Sequence, residues 1–210
     1  MITLYDFPRA PSPRRARVLL AEKGIPHETV IVDLAQQEQL GEAFRAINPR
    51  CTVPALRLDD GTVLTDNAGI AAWAEAAYPE PPLLGVTPIE KAEIASWNAR
   101  IEQEGFYAVA EAMRNSAPAM KGRALTGAVD YEQIPELAER GLARLGHFFE
   151  MLDAHLADRA FVATDRFSLA DISAVIVTDF ARVVRLKAAE EFAHIGKWRA
   201  HMAERPSFSL

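Results

Sequence analysis

The chain has one cysteine, Cys51, in 210 residues, so neither a disulfide framework nor a thiolate set for a zinc site can be built from it. Histidine does not fill the gap, because His27, His147, His155, His194 and His201 stand at no metal-ligand spacing. No apolar run approaches the roughly 18 residues of a membrane-spanning helix, and residues 1–15 lack the apolar core of a secretory leader, so a cytoplasmic protein without a membrane partner is expected. Basic residues are outnumbered, 23 Lys and Arg against 29 Asp and Glu, and the formal net charge of −6 gives no reason to expect nucleic acid as a partner. Internal repeats and low-complexity segments are also missing. What is present is a globular composition, 50% apolar and 25% charged, with room for one large core or two small ones.

Taken in order, Ile2 to Tyr5 reads as a short strand running into Phe7-Pro8-Arg9-Ala10-Pro11-Ser12-Pro13, where three prolines forbid regular structure. Ser12 before Pro13 reads as an N-cap with proline at the first helical position, and Gly24 as the stop, which predicts a helix over Pro13 to Lys23. Glu28 to Val32 reads as a second strand, completing a βαβ unit with a parallel pair. A weaker helix is expected from Gln36 to Ile47, then two short strands around Asp59-Asp60-Gly61, then a helix from Asn67 to Tyr78. Residues 1–80 thus read βαβαββα. The prolines at 79, 81, 82 and 88 mark a stiff linker over 81–88, and no strand signal of any length follows it.

Residues 89–210 read as an all-helical domain. An unbroken helical pattern runs from Ile89 to Ala117 past Gly105, whose helix cost of roughly 1 kcal/mol points to close packing or a bend. Ala119 to Tyr131 is loop-like. Pro135 to Leu156 carries an apolar stripe of Ala138, Leu142, Leu145, Phe149, Leu152 and Leu156. Ser168 with Asp171 three residues on is a capping box in its acidic variant, opening an apolar helix through Val175, Ile176, Phe180 and Val183. That box is read as a folding device. A last helix is expected from Glu190 to Glu204.

The stretch Asn48-Pro49-Arg50-Cys51-Thr52-Val53-Pro54-Ala55-Leu56 concentrates the unusual chemistry. A proline between Val53 and a strand-like apolar pair cannot donate to a sheet ladder, so it either sits on an edge or is held cis in a turn. Either way the Val53 backbone is left free, and the hairpin brings Asp66 and Asn67 back towards it.

These elements, with Arg17-Val18-Leu19-Leu20-Ala21-Glu22-Lys23-Gly24-Ile25, Asn48-Pro49, Val53-Pro54-Ala55-Leu56, Ser168-Leu169-Ala170-Asp171, and Trp198 near Arg205-Pro206-Ser207, resemble a cytosolic glutathione transferase over almost the whole chain. The Pro11 to Arg17 block is most similar to a yeast and bacterial subgroup lacking the usual catalytic serine, tyrosine or cysteine. The resemblance implies an α/β plus all-α protein, a thioredoxin-like βαβαββα domain followed by a helical bundle. It also implies glutathione as substrate, conjugated to a small apolar electrophile by a homodimeric detoxification enzyme.

Carried over position by position, the resemblance pairs the cysteinyl part of glutathione with the backbone of Val53 ahead of Pro54, as a short added strand. Asp66 faces the γ-glutamyl ammonium, and the carboxylate lies at the helix start marked by Asn67. Gln39 meets the glycine carboxylate, with Arg50 and Thr52 as alternatives. The acceptor side is expected from Phe7, Phe106, Tyr107, Ala110, Met113 and Arg114.

The family's serine or cysteine falls on Ala10, which cannot act on a thiolate. Two routes remain open: a hydrogen bond from Ser12, or the start of the first helix with the N–H groups of Ala10, Ser12 and Arg14 as donors and Arg9 or Arg14 adding charge. Cys51 is read as a packed bystander. A binding or regulatory protein without catalysis, and a glutathione-dependent isomerase or peroxidase, are the competing readings.

Overall fold

The computed structural model describes residues 1–210. They form two compact units, one of Met1–Pro81 with Thr126–Val129 and Leu210, the other of Pro82–Leu125 and Asp130–Ser209.

The first unit is a four-stranded sheet in the order β2-β1-β3-β4, with β1 at Thr3–Asp6, β2 at Glu28–Ile31, β3 at Ala55–Arg57 and β4 at Val63–Thr65. β1 runs parallel to β2, and the β1–β3 and β3–β4 pairs are antiparallel, as the βαβ and hairpin signals require. The helices are α1 (Pro11–Glu22), α2 (Glu42–Arg45) and α3 (Asn67–Ala77). Strand alternation sorts the core. Tyr5 and Ala55 face one way, towards Val32 and Phe44, whereas Leu4 and Leu56, both fully buried, alternate to the opposite face of the sheet. Lys23, its side chain buried, closes α1 against the end of α3 by donating to the carbonyls of Tyr78 (2.7 Å) and Pro81 (2.8 Å) and pairing with Glu75 at 2.7 Å.

Two expectations for this unit are corrected. The helix at Gln36 to Ile47 is instead a 3₁₀ turn at Glu38–Leu40 followed by the single turn of α2. Side chains compete for the backbone there: the Asp33 carboxylate takes the N–H groups of Ala35 and Gln36, Glu38 takes that of Asp33, and Gln37 turns left-handed at φ 59°. The first helix starts at Pro11, two residues before the expected Pro13. Ala10 is its N-cap residue without a side-chain cap, and Pro11 and Pro13 fall in the first turn, where a missing N–H costs nothing.

The second unit is helical: α4 (Pro88–Arg100), α5 (Tyr107–Ser116), α6 (Pro135–His155), α7 (Leu169–Phe180), α8 (Ala188–Glu191) and α9 (Ala193–Met202). α4 opens on a capping box of Thr87 and Glu90. The long helix expected from Ile89 to Ala117 is interrupted by a π-helical turn at Ile101–Phe106, where Arg144 donates to the Gln103 carbonyl at 2.6 Å. Gly105 sits within that turn. A Cβ there would stand 3.0 Å from Val177 and 3.2 Å from the Phe148 ring, so glycine lets α6 and α7 close in.

Leu142 is exposed rather than part of the α6 stripe, and Gly141 and Phe148 are buried in its place, because α5 approaches too closely at Gly141 for a side chain. α7 ends at Phe180 and continues only as a 3₁₀ turn in which Val183 is exposed. The last helix is split at Phe192, since Asp153 of α6 accepts from the N–H groups of His194 (2.8 Å) and Ile195 (2.9 Å) and so starts α9 afresh. No helix is long and apolar enough to cross a membrane.

Candidate active site

Apart from Gln39, the residues expected to hold a tripeptide fall on three segments of the first unit: the β1–α1 loop with the first turn of α1, the stretch from Asn48 to Pro54, and the start of α3.

The first segment is set by an ion pair that sequence reasoning missed. Asp6, at the end of β1, is 2% exposed, and Arg17 of α1 donates to both its carboxylate oxygens, at 2.6 and 2.8 Å, and to the Pro8 carbonyl at 3.1 Å. The guanidinium thus ties strand, loop and helix together at the point where the loop turns into α1. The only sequence signal for it was a carboxylate closing an otherwise apolar strand.

Of the N–H groups expected as donors at this helix start, two are occupied. Ala10 donates to the Phe7 carbonyl at 3.0 Å and Arg14 to the Ala10 carbonyl at 3.4 Å, while Pro11 and Pro13 have none. The Ser12 N–H takes no partner from the chain. Ser12 is not the N-cap expected of it, because the helix begins two residues earlier than expected and Ala10 takes that position. Its hydroxyl is therefore not committed to capping. Instead it accepts from Asn67 Nδ2 at 3.3 Å, which leaves its own proton free to be donated elsewhere and joins the starts of α1 and α3. Arg14 is half-buried in the first turn, and Phe7 is half-buried in the loop.

The second segment is a turn built on Asn48, whose side chain is fully buried. Its Oδ1 accepts the Arg50 N–H at 3.0 Å, and its Nδ2 donates to the Thr52 carbonyl at 2.7 Å and hydroxyl at 3.2 Å. Cys51, at φ 56°, points inward and is 2% exposed, as expected of a packed side chain. Of the two states open to Pro54, the peptide bond from Val53 is cis, and Pro54 precedes an interior strand. Val53 is half-buried, and no backbone hydrogen bond ties it to the sheet.

At the third segment Asp66 caps α3, accepting the Gly69 N–H at 3.1 Å. N-cap residues ordinarily hold an extended backbone, but Asp66 sits at φ 68° and ψ 157°, a region costing a non-glycine residue about 1–3 kcal/mol. Its second oxygen faces Arg50 at 3.5 Å.

Four other expected residues lie outside these three segments. Gln39 is buried in the 3₁₀ turn with its Oε1 unpartnered. In the second unit, Phe106 is 7% exposed and belongs to the helical core, and Met113 is half-buried on α5. Arg114 donates to the carbonyls of Arg123 (2.6 Å) and Leu125 (3.0 Å), which makes it an anchor of the loop after α5. Burial, with Arg123 nearby, pulls its pKa below the usual arginine value.

Two family models match, Glutathione S-transferase, N-terminal domain, over residues 10–77 and Glutathione S-transferase, C-terminal domain, over residues 116–206. The chain is 34% identical over 206 residues to Glutathione S-transferase 2 of Saccharomyces cerevisiae, covering 97% of this chain and 86% of that protein. Its fold is similar to the crystal structure of Gtt2 from Saccharomyces cerevisiae, with a TM-score of 0.89 at 33% identity over 99% of this chain and 98% of that one. A shorter stretch of 82 residues is 44% identical to Maleylpyruvate isomerase of Ralstonia sp, covering 39% of this chain and 38% of that protein.

Proposed function

The chain belongs to the glutathione S-transferase family, and on that premise we propose that it binds glutathione in its first 80 residues and transfers the thiolate to a small apolar electrophile. The observation that carries this reading is the Asn67–Ser12 hydrogen bond. It joins an uncapped helix start, with a free N–H and a free hydroxyl proton, to the helix start where the γ-glutamyl end is expected.

Glutathione then extends along Val53, whose N–H and C=O serve as partners for its cysteinyl backbone. Asp66 takes the γ-glutamyl ammonium, and the N-terminus of α3 favours the carboxylate. The thiol is left at the start of α1. The Ser12 hydroxyl and N–H donate to its sulfur, and the α1 dipole and Arg14 add positive potential; these interactions favour the thiolate and lower its pKa. The thiol proton leaves to solvent. The sulfur lone pair forms the new C–S bond, and the leaving group departs with the electron pair of the bond that breaks. In the family's usual setting this is the work of a homodimer in the cytoplasm, in detoxification.

Retention on immobilised glutathione, followed by turnover of chlorodinitrobenzene, tests the reading. Conjugation abolished by Asp66→Ala is the expected result, and failure to bind glutathione by any method overturns it. A second reading is favoured by the similarity to Maleylpyruvate isomerase. There the same thiolate adds to an activated cis double bond, the adduct rotates, and the thiol is expelled. Glutathione-dependent isomerisation of maleylpyruvate without net glutathione consumption distinguishes it.

A further inference from the structure

We propose that β2 is a docking edge for a second copy of this chain, the two strands pairing antiparallel about a two-fold axis at Val30. This is independent of the glutathione reading, since Glu28–Ile31 belongs to none of the three segments of that site.

β2 ends the sheet on one side, and all of Glu28–Ile31 is exposed, with Val30 at 43% and Ile31 at 51%. β4, at the other end, is half-buried throughout. Natural sheets commonly blunt such an edge with lysine, proline or a bulge. β2 has none of these: Glu28 is its one charged residue, and its register with β1 runs unbroken. Glu28 and Val32 donate their N–H groups to the carbonyls of Ile2 (2.9 Å) and Asp6 (2.8 Å), so by strand alternation Thr29 and Ile31 turn their N–H and C=O groups away from β1, to the free edge. The row of open groups stops at Asp33, whose N–H donates to Glu38 Oε2 at 2.7 Å and whose C=O accepts the Glu38 N–H at 3.0 Å.

This edge is complementary to itself in one register. With Val30 on the axis, Thr29 lies opposite Ile31 of the second copy, and the open N–H and C=O groups of both are matched. Moving the axis to Ile31 would set Thr29 against the spent groups of Asp33. Moving it to Thr29 would set the two exposed apolar side chains, Val30 and Ile31, against Glu28 and His27. The Val30 register instead puts Val30 beside Val30 on one face and Ile31 beside Thr29 on the other, so that both apolar side chains are covered. Glu28 then faces Val32 and Asp33 faces His27, so no acid meets an acid although each copy carries a formal net charge of −6. The patch is small beside that of a permanent dimer, which makes the pairing weak and concentration-dependent.

Sedimentation velocity over about a hundredfold range of concentration is expected to show wild type moving one doubling in mass above the species present at the lowest concentration. Thr29→Pro removes only an N–H that β1 does not use, and Ile31→Lys places a charge at the edge. Each is expected to melt as wild type does and to raise the concentration of half-association at least about tenfold. Val30→Cys treated with diamide is expected to give a disulfide-linked pair of chains, because residues of a non-hydrogen-bonded antiparallel pair stand about 4.5 Å apart at Cα, whereas Ile31→Cys is expected to give none. Wild type, whose Cys51 is buried, provides the blank. Should Thr29→Pro unfold, Ile31→Lys carries the comparison. A mass that does not change with concentration, association unaltered in the folded variants, or cross-linking through Ile31→Cys in place of Val30→Cys overturns the proposal.

Discussion

Two helix starts in this molecule use serine and a carboxylate to opposite effect. At α7, every atom is inward and occupied. Ser168 and Asp171 are both 0% exposed, Ser168 Oγ accepts from Ala170 N–H at 3.3 Å, and the Asp171 carboxylate accepts from the N–H groups of Ser168 (2.9 Å) and Val162 (2.8 Å) and from the Ser168 hydroxyl (3.0 Å). At α1, Ser12 is only half-buried, caps nothing, and is flanked by prolines that withhold their N–H groups; the carboxylate of the neighbouring α3, Asp66, is exposed. A helix start whose donors and acceptors are all consumed inside the protein contributes to folding. One whose donors are left over is equipped for a ligand.

The comparison breaks most readily at its buried end. Asp171→Ala leaves three donors without an acceptor in the core, and is expected to lower stability by roughly 3–5 kcal/mol, read from the urea midpoint. A variant as stable as wild type would mean that this box is not the folding device it resembles.

Burial also sets the pH dependence. It raises the Asp171 carboxyl from its ordinary 3.8 to about 6, against the pull of its hydrogen bonds. Because the folded protein holds this proton more tightly than the unfolded chain, the contribution is full below the unfolded value and is lost as pH rises through the folded one. The stability difference between wild type and Asp171→Asn is therefore expected to fall by about 3 kcal/mol across that window and to stay flat above it. Denaturant titrations at a series of pH values check the sign.

At the open end, function and stability are expected to separate. Asp66→Asn keeps an equally good N-cap, so melting changes by less than about 0.5 kcal/mol, while calorimetry is expected to show a loss of about 2–3 kcal/mol in glutathione binding. Ser12→Ala removes no cap, and is expected to leave stability within about 0.5 kcal/mol and lower kcat/KM about tenfold, measured with chlorodinitrobenzene. Loss of folding in either variant would erase the contrast between the two kinds of helix start.

Much of this was legible in the chain. The parallel pair, the hairpin at Asp60-Gly61 and the Ser168–Asp171 box follow from period-2 strands, turn chemistry and a short-range motif, all of which depend on near neighbours. The Thr87-Pro88-Ile89-Glu90 start of α4 carries the same kind of signal. What could not be read depended on distant partners: the Arg17–Asp6 pair across eleven residues, the capping of α9 by Asp153 from another helix, and the turn at Gln37, where local side-chain bonds outcompete a helical pattern. Ser12 is ambiguous in the sequence for a related reason. With proline at both 11 and 13, two helix starts fit the sequence equally well, and only the backbone distinguishes them.

The central claim is that the start of α1, with Ser12 as donor, is what makes a thiolate. Titrating the ultraviolet absorbance of the thiolate of glutathione bound to wild type and to Ser12→Ala tests it directly. The account predicts a bound thiol pKa well below the free value of about 8.5 in wild type, rising by about one unit in Ser12→Ala. An equally depressed pKa in both proteins would contradict it.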